Sequence, residues 1–293
     1  MIETAKRRIY HFGICLSRGY WRLFGRNAKA FGHALSLDSR TVFPSYRRLR
    51  LPSGNYLSQI VKHGDYVQIH SIVNYFSRIE HPAIFVDIGA HHGAYAIVVG
   101  KMLRESGGKV IAVEPNPDSF QVLRRNVELN GLDDTVYCIH KAASDKNGKA
   151  FITTDDVQSR LTGHGEANYS VETVTLRSLL EAHGIDHVDA LQVDVEGAEL
   201  PVLRGFPWEN ITVDRIYCEF HPYAWNEFGY DGRELKRFMR GLNLRCFDMY
   251  LNEHCDFKDT GYIGPTLLFP GDMEGDIDDG TADLRGANAA KST

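Results

Sequence analysis

The stretch that decides the fold is FVDIGAHHGAYA, residues 85–96, in which an apolar run leads through an acid into two glycines four residues apart. The apolar run predicts a buried strand, and Gly89 and Gly93 predict a tight turn into a helix. Asp87 precedes this turn, and two adjacent histidines lie inside it. The stretch suits a nucleotide-binding turn, a metal site built on the histidine pair, or an ordinary strand end.

The segments that follow alternate between strands and helices, which is typical of a parallel sheet with helices on both faces. Asn116 and Pro117 predict the start of one of these helices. Residues 264–271 predict an edge strand, and the polar residues 155–170 carry little signal of order. The predicted core strands are 83–89, 109–115, 135–142, 188–197 and 213–222.

Composition places the chain among ordinary globular proteins. It has 293 residues, 43% of them hydrophobic, which suffices for one large domain. No apolar run approaches the roughly 20 residues that cross a bilayer, and the start lacks a secretory signal. The five cysteines are odd in number and widely spaced, which indicates reduced thiols. These features together predict a cytoplasmic protein.

Charge divides the chain into regions. Residues 1–50 carry 11 Lys/Arg against 2 Asp/Glu, a net charge of +9 within a total of −5, which leaves −14 for the remainder. An acidic main domain argues against nucleic-acid binding. We predict a helical basic N-terminal extension over residues 1–80, the main domain over 81–271 and a disordered acidic tail over 272–293. The basic face of the extension suits peripheral contact with anionic lipid, a basic docking face, or a solvated face.

Polar groups follow each predicted core strand, at the edge where doubly wound sheets bind their ligands. A purely structural sheet needs no such groups there, and gathering carboxylates at one edge costs electrostatic repulsion. This placement therefore indicates a functional site. The groups are Asp87 and Gly89 after the first strand, Glu114 after the second, Ala143 to Asp145 after the third, Asp194 and Glu196 after the fourth, and Glu219 and His221 after the fifth.

The turn and Glu114 together indicate an adenosine cofactor. Glu114 ends the second strand, where a carboxylate accepts both hydroxyls of an adenosine ribose. A dinucleotide site expects G-x-G-x-x-G, whereas this turn has Gly89-x-x-x-Gly93 with His91 inside it. Asp87 would repel a pyrophosphate and suits a cationic ligand instead. Charge therefore favours S-adenosylmethionine over NAD.

The order of the motifs FVDIGAHHGAYA, VIAVEPNPDSF, KAASDKNGKA, VETVTLRSLL, LQVDVEGAELPVLRG and YCEFHP resembles the FkbM-type methyltransferase family over about residues 83–270. The resemblance implies a class I methyltransferase fold, a Rossmann-like α/β sheet that is mostly parallel with an antiparallel last strand. It also implies S-adenosylmethionine as cofactor and O-methylation as the usual activity. The cofactor residues it implies are Asp87, Gly89, His91 and Gly93 around the methionine part, Glu114 and Asn116 at the ribose, and Ala143 to Asp145 beside the adenine.

The resemblance also implies that Asp194 and Glu196 lie nearest the transferred methyl group. A hydroxyl acceptor must lose its proton as the new bond forms, so a general base is useful. His221 is the first candidate because an ordinary histidine titrates near neutrality, with Asp194 and Glu196 as alternatives. Glu219 is predicted to orient His221.

We predict no metal site. Adjacent side chains such as His91 and His92 are expected to diverge, and three or four convergent ligands would be needed. The spaced pair His183 and His187 lies in a predicted loop. A divalent ion at Asp194 and Glu219 is compatible with the sequence, although nothing in it requires one.

The predicted function is therefore an S-adenosylmethionine-dependent O-methyltransferase that acts on a hydroxyl of a small molecule or sugar, such as a glycolipid, polysaccharide or secondary metabolite. Two alternatives remain. One is a catalytically inactive adapter with this fold, supported only by Gln192, where many family members have a lysine. Many members also have an asparagine where this chain has His91. The other is a nicotinamide-dependent oxidoreductase. The sequence leaves the oligomeric state open.

Overall fold

The computed structural model of the chain describes residues 65–155, 158–162, 169–248, 253 and 263–270. The strands are β1 Ile84–Ile88, β2 Lys109–Val113, β3 Val136–Ile139, β4 Ala142–Ala143, β5 Gly148–Asp155, β6 Gln158–Thr162, β7 Tyr169–Val174, β8 His187–Val193, β9 Thr212–Phe220, β10 Leu244–Asp248 and β11 Ile263–Pro270. The helices are α1 Asp65–Phe76, α2 Ala94–Leu103, α3 Pro117–Leu129, α4 Leu176–Ala182, α5 Glu199–Arg204 and α6 Gly232–Gly241, with a 3-10 helix Pro222–Phe228 after β9.

Seven of these strands form one sheet in the order β10-β11-β9-β8-β1-β2-β3. β11 runs antiparallel to β9 and to β10, and the pairs among β9, β8, β1, β2 and β3 are parallel. The chain order reverses at β1, which lies between β2 and β8, so the crevice beyond these strand ends is where a doubly wound sheet binds ligands. The predicted sheet, mostly parallel with an antiparallel last strand, is confirmed.

One prediction about this sheet is wrong, because the last strand does not lie at the edge. β11 lies between β10 and β9, and its residues 267–269 are each at most 3% exposed. A continuous apolar run is typical of a strand covered on both faces. The pairing with β9 shifts between Ile263 and Thr266, and this irregularity accommodates Pro265, which has no N–H to donate.

A second sheet interrupts the alternation after β3, in the order β4-β7-β5-β6. It contains β5 and β6, so residues 155 and 158–162 form strands inside the polar stretch 155–170, whose sequence carries little signal of order. β6 is held by backbone hydrogen bonds to β5. Such bonds do not depend on apolar side chains, so the sequence shows no alternation of apolar and polar residues there. The turn at residues 144–147 leads from β4 into β5, but these strands do not pair, since β7 lies between them.

Helix α3 begins and ends as the sequence predicts. The side chain of Asn116 accepts hydrogen bonds from the main-chain N–H groups of Asp118 and Ser119, and Pro117 occupies the first turn. Asn130 ends the helix, and Gly131 follows with φ +63°. These caps fix the start of α3 directly beyond the carboxyl end of β2, where the predicted ribose site lies.

The core lies on both faces of the seven-stranded sheet. One apolar cluster contains Leu176, Leu200 and Leu235 of α4, α5 and α6, and the other contains Ile72, Ile97 and Leu123 of α1, α2 and α3. Successive residues of a strand face opposite sides of the sheet. Asp87 therefore shares a face with Phe85, which packs in the second cluster, and this puts the acid on the α2 side of the sheet.

Helix α1 lies within the predicted N-terminal extension yet belongs to the sheet's outer layer, because Ile72 and Phe76 pack in the same apolar cluster as Phe85. Residues 1–64 and the predicted tail 272–293 lie outside the described residues, so the membrane contact and disorder expected there stay predictions, as does the cytoplasmic location. Within the described part of the chain, every helix is too short or too polar to cross a bilayer.

Candidate active site

The turn after β1 forms the first half of the site. The N–H groups of Gly89 and Ala90 donate to the carbonyl of Val113, which ties the turn to the end of β2. Gly89 and Gly93 have φ values of +83° and +87°, in the left-handed region that favours glycine. The prediction of a glycine turn is confirmed in its backbone.

Packing inside the protein also requires these two glycines. A Cβ on Gly89 would lie 1.7 Å from the main-chain oxygen of Asp194, and a Cβ on Gly93 would lie 2.6 Å from Cδ1 of Leu123. The open side of each glycine is thus filled by the protein itself rather than kept free for a ligand. Gly89 is small so that the end of β8 can lie directly against the turn.

Glu114 stands at the tip of β2 and is 4% exposed. Its Oε2 accepts a hydrogen bond from the N–H of His91 (2.7 Å) and its Oε1 accepts one from the N–H of Asn116 (2.8 Å). Burial raises the pKa of Glu114 to about 7, and the two N–H donors oppose part of that rise. Each oxygen keeps a lone pair, so the carboxylate is oriented to accept further hydrogen bonds from a pair of hydroxyls.

Asp87 is the most unusual group of this half. Its side chain is 1% exposed, and neither carboxylate oxygen has a hydrogen-bond partner of ordinary geometry within the described residues. Burial raises the pKa of Asp87 to about 7, the N–H of Ala96 opposes this, and the nearby charge of Glu114 adds to it. Leaving a buried carboxylate unpaired is costly, so the group fits a cationic ligand such as a protonated amino group.

The histidine pair departs from expectation. The rings of His91 and His92 stack with centroids 3.7 Å apart, so the prediction that they diverge is wrong. His91 has φ +49°, and this left-handed backbone brings the two rings together. Burial lowers the pKa of His91 to about 4 and that of His92 to about 3, where the neighbouring ring contributes as well. The pair is neutral at ordinary pH, and His91 contacts Glu114 through its main-chain N–H.

The remaining predicted cofactor residues differ in their surroundings. Asn116 uses its side chain to cap α3. Ala143 is buried and pairs with Val174 in the small sheet. Asp145 is exposed and accepts a hydrogen bond of 3.3 Å from the Ser144 hydroxyl. Contact of Ala143 and Asp145 with an adenine ring stays a prediction.

The ends of β8 and β9 form the second half of the site. The N–H of Asp194 donates to the carbonyl of Ile88 (2.9 Å), which sets the acid beside the first half. Nε2 of His221 lies 3.6 Å from Oε2 of Glu196 and 3.8 Å from Oδ1 of Asp194. Glu219 has a carboxylate oxygen within 4.8 Å of the ligand atoms of Asp194 and His221. The structure thus brings all four predicted catalytic residues together.

Glu196 is held in an uncommon backbone conformation. Its φ is +50°, and Gly197 follows with φ +109°. A non-glycine residue rarely adopts this region, and such strain is found most often at functional sites. The Tyr223 hydroxyl, on the 3-10 helix, donates a short hydrogen bond to Oε2 of Glu196. The Tyr223 ring is 42% exposed, so it forms part of the rim of the site.

The residue that holds His221 was not among the predicted site residues. Nδ1 of His221 lies 2.8 Å from Oε1 of Glu199, a fully buried side chain, so this partner is not the predicted Glu219. Glu199 is the last acid of the motif DVEGAE and the first residue of α5. A third acid directly after a glycine turn, at a helix start, was the available signal.

The pKa of His221 reflects opposing effects. Burial lowers it, whereas the hydrogen bond to Glu199 and the charges of Glu199, Glu196 and Glu219 raise it, and the net direction is upward from the ordinary histidine value. His221 therefore holds a proton more readily than a free histidine.

Two groups of the described residues have the spacing of metal ligands. Asp194, Glu219 and His221 form one of them, at the carboxyl ends of β8 and β9. His187, Asp189 and Asp214 form the other, at the amino ends of the same two strands. His183 is not in either group, and its ring packs edge-on against Tyr137. Carboxylates and imidazoles suit divalent cations, but such groups also lie close together in sites that hold no ion. The predicted absence of a metal therefore stays a prediction.

Gln192, which stands where many relatives have a lysine, has a structural role. It is 1% exposed, and its Oε1 accepts a short hydrogen bond from the side chain of Gln68 on α1. The pair joins β8 to helix α1. The packing of α1 thus accounts for a glutamine at this position.

Comparison with known proteins gives consistent results. The family model described as Methyltransferase FkbM domain matches residues 87–257. Hexuronic acid methyltransferase AglP of Haloferax volcanii is 24% identical over 180 residues, which cover 61% of this chain and 70% of the relative. Methyltransferase sdnD of Sordaria araneosa is 26% identical over 169 residues, covering 44% of this chain and 64% of the relative.

Among solved structures, the crystal structure of methyltransferase FkbM from Methylobacillus flagellatus KT is similar, with a TM-score of 0.39 and 15% sequence identity. The alignment covers 83% of this chain and 59% of that one.

Proposed function

The chain belongs to the FkbM methyltransferase family, and from this premise we propose that it methylates a hydroxyl group of a sugar or of a sugar-containing small molecule. Its cofactor is S-adenosylmethionine, which when bound supplies a methyl group on a positively charged sulfur. With so good a leaving group, the protein mainly has to align the acceptor, exclude water and remove a proton.

Two acids of the first half are proposed to hold the cofactor. Both carboxylate oxygens of Asp87 are buried without a hydrogen bond of ordinary geometry in the described part of the chain, which supports a role in pairing with the cofactor's cationic end. Glu114 is gripped by two main-chain N–H groups and keeps lone pairs for the ribose hydroxyls. The loop donors thus orient the acid before the ligand arrives, which lowers the entropic cost of binding.

The observation that carries the choice of a hydroxyl acceptor is the acidic surrounding of His221. Carboxylate oxygens of Glu196 and Asp194 lie 3.6 and 3.8 Å from its Nε2, an oxygen of Glu219 lies within 4.8 Å of a ring nitrogen, and Glu199 lies 2.8 Å from Nδ1. Negative charge of this density disfavours an anionic acceptor group such as a carboxylate, and it suits a neutral hydroxyl that donates hydrogen bonds. We propose that His221 takes the hydroxyl proton while the carboxylates bind and orient the acceptor.

A sugar is the favoured acceptor for two reasons. A relative that matches 61% of the chain is named a hexuronic acid methyltransferase. In addition, the exposed ring of Tyr223 stands beside Glu196, and an aromatic ring next to hydrogen-bonding acids is the kind of lining that small-molecule sites use to fix orientation. Glycolipid, polysaccharide and secondary-metabolite acceptors share this chemistry.

The test is a transfer assay with deuterium-labelled S-adenosylmethionine and the 4-nitrophenyl β-glycosides of glucose, galactose and glucuronic acid. We expect mass spectrometry to find the labelled methyl group on at least one glycoside. We also expect it to survive mild alkali, because a methyl ether is stable there. A label that alkali removes would be a methyl ester on the glucuronic carboxyl and would contradict a hydroxyl acceptor, and transfer to none of the three would contradict a sugar acceptor.

A further inference from the structure

Glu199 makes an unusual set of contacts for a residue outside the predicted site. It is fully buried, and its Oε1 accepts a hydrogen bond from the N–H of Gly197 (2.9 Å) and lies 2.8 Å from Nδ1 of His221. Its Oε2 accepts one from the indole N–H of Trp225 (2.8 Å), and the Tyr230 hydroxyl lies 2.9 Å away. A buried carboxylate is tolerated only when donors surround it in this way.

These contacts determine which nitrogen of His221 carries hydrogen. The main-chain N–H of Gly197 and the indole N–H of Trp225 each donate to Glu199, and an ionised carboxylate can only accept hydrogen bonds. His221 must then donate through Nδ1, and in its neutral form the lone pair is on Nε2. A carboxylate behind the ring thus fixes both its tautomer and its orientation.

Nε2 of His221 is the ring nitrogen that lies beside the two partly exposed acids of the site. The side chains nearest it, Glu196 and Asp194, are 21% and 37% exposed, whereas that of His221 is 5% exposed. The distances of 3.6 and 3.8 Å from Nε2 to their oxygens are too long for hydrogen bonds. Nε2 is therefore placed where an acceptor hydroxyl among these acids would meet it.

We propose that Glu199 is a positioning residue that holds His221 with its hydrogen on Nδ1, so that Nε2 removes the proton of the acceptor hydroxyl. This inference rests on the proposed function. The hydroxyl proton moves to Nε2, an electron pair of the oxygen forms the bond to the methyl carbon, and the pair of the broken carbon–sulfur bond stays on the sulfur. Glu199 itself does not touch the acceptor.

The groups that face His221 make the pH dependence predictable. They are the carboxylates of Asp194, Glu196, Glu199 and Glu219 and the phenol of Tyr223, and the phenol of Tyr230 contacts Glu199 behind the ring. A base must be unprotonated to act, so the rate should rise with pH through the titration of His221. Removing the charge of Glu199 removes a stabiliser of the protonated ring, and the rising part of the profile should move to lower pH.

The test compares Glu199→Gln with Glu199→Asp and with the control Glu234→Gln. Glu234 also contacts α5, because it pairs with Arg204, but it is partly exposed and its contact is with Arg204 rather than with His221. With whichever of the 4-nitrophenyl β-glycosides of glucose, galactose and glucuronic acid accepts the methyl group as acceptor, we expect Glu199→Gln to lower kcat by roughly 10²-fold, the lower end of what a general base contributes. KM, and the affinity for S-adenosylhomocysteine, should change less than about twofold. Glu199→Asp, which keeps the charge, should recover part of kcat, and the control should match the wild type.

The pH profile and the nitrogen NMR spectrum distinguish positioning from a merely structural role. In protein labelled with ¹⁵N at histidine, we expect the neutral ring of His221 to carry its hydrogen on Nδ1, and Glu199→Gln to perturb that state. A hydrogen on Nε2 in the wild type would overturn the proposal, and this measurement does not depend on whether the variant folds.

A lower kcat with an unshifted pH profile would also overturn the proposal. So would activity that a chelator abolishes and Mg²⁺ or Mn²⁺ restores, because Nε2 would then be a metal ligand. A wild-type enzyme that methylates no sugar would contradict the proposed function alone.

Discussion

The main-chain carbonyl oxygen of Asp194 lies 1.7 Å from the point where a Cβ on Gly89 would stand. This contact joins the two halves of the site, because Gly89 begins the cofactor turn and Asp194 begins the acidic cluster. The hydrogen bond from the Asp194 N–H to the Ile88 carbonyl holds the same junction. The position of the acids relative to the turn is therefore set by main chain packed on main chain.

Gly89→Ala should consequently destabilise the protein. The new methyl group meets backbone that cannot swing aside, and φ +83° is strained for alanine, so we expect the free energy of unfolding to fall by about 2–4 kcal/mol. Gly131→Ala is the matched control, because φ is +63° there and nothing lies within 4 Å of the added atom. It should cost only about 1–2 kcal/mol. Chemical denaturation of both variants measures the difference, and equal losses would show that the contact with Asp194 is not tight.

Asp87→Asn tests the buried acid of the cofactor turn. Burial raises the pKa of Asp87 to about 7 from an ordinary 3.8, so the folded protein keeps this proton to higher pH than the unfolded chain does. The stabilisation is thus complete at acid pH and is lost as pH rises through about 7. We expect the free energy of unfolding of the unliganded protein to fall as the pH rises from about 4 to about 7, and that of Asp87→Asn to fall less.

The same substitution should weaken cofactor binding by roughly 10–100-fold, because it removes a charged partner of the amino group. Affinity for S-adenosylhomocysteine should rise from about pH 6 to about pH 8 in the wild type as Asp87 and Glu114 ionise, and should rise less in Asp87→Asn. Calorimetry at both pH values measures this. Binding that is equally tight in the variant at the higher pH would remove Asp87 from the cofactor site.

His221→Ala should abolish most of the methyl transfer without loss of the cofactor. A general base contributes typically 10²–10⁴-fold, so kcat should fall within this range, while the affinity for S-adenosylhomocysteine stays within about twofold. His187→Ala is the control, since His187 also lies near two carboxylates, Asp189 and Asp214, but at the amino end of β8, away from the site. If both variants lose the same activity, His221 has no special role.

Tyr223 should affect the acceptor rather than the cofactor. Tyr223→Ala removes an exposed ring from the rim beside Glu196, and we expect KM for the acceptor glycoside to rise by about tenfold, equivalent to roughly 1.4 kcal/mol. Tyr223→Phe keeps the ring and removes only the hydrogen bond to Glu196, so it should retain most of the affinity. Steady-state kinetics on the three forms gives the answer, and an unchanged KM in Tyr223→Ala would exclude the ring from acceptor binding.

Much of this arrangement was predictable because it depends on local patterns. The apolar run before Asp87, the Asn116-Pro117 start of α3 and the acids at strand ends each signal their own structure. The edge of a parallel sheet then brings the acids together without further information. The antiparallel direction of the last strand was predicted from the family resemblance instead. Its position inside the sheet depends on which strands it pairs with, and the local sequence does not show that.

The rest depends on contacts between residues far apart in the chain. Glu199 binds His221 across 22 residues, and nothing in the spacing of DVEGAE and EFHP says which acid reaches the ring. The stacking of His91 on His92 follows from a left-handed backbone at His91, which a histidine adopts only because the turn imposes it. Gln192 finds its partner Gln68 on a helix 124 residues earlier.

The most direct test of the central claim, that the ends of β1 and β2 hold S-adenosylmethionine, is calorimetric titration with S-adenosylhomocysteine. We compare the wild type, Glu114→Ala and the control Glu128→Ala, an exposed acid on neighbouring α3 whose partner is Arg125. The account predicts one site per chain in the wild type and the control, and a loss of affinity of roughly 10²-fold or more in Glu114→Ala when its thermal melt shows it folded. No binding to the wild type, or binding that Glu114→Ala leaves unchanged, would contradict it.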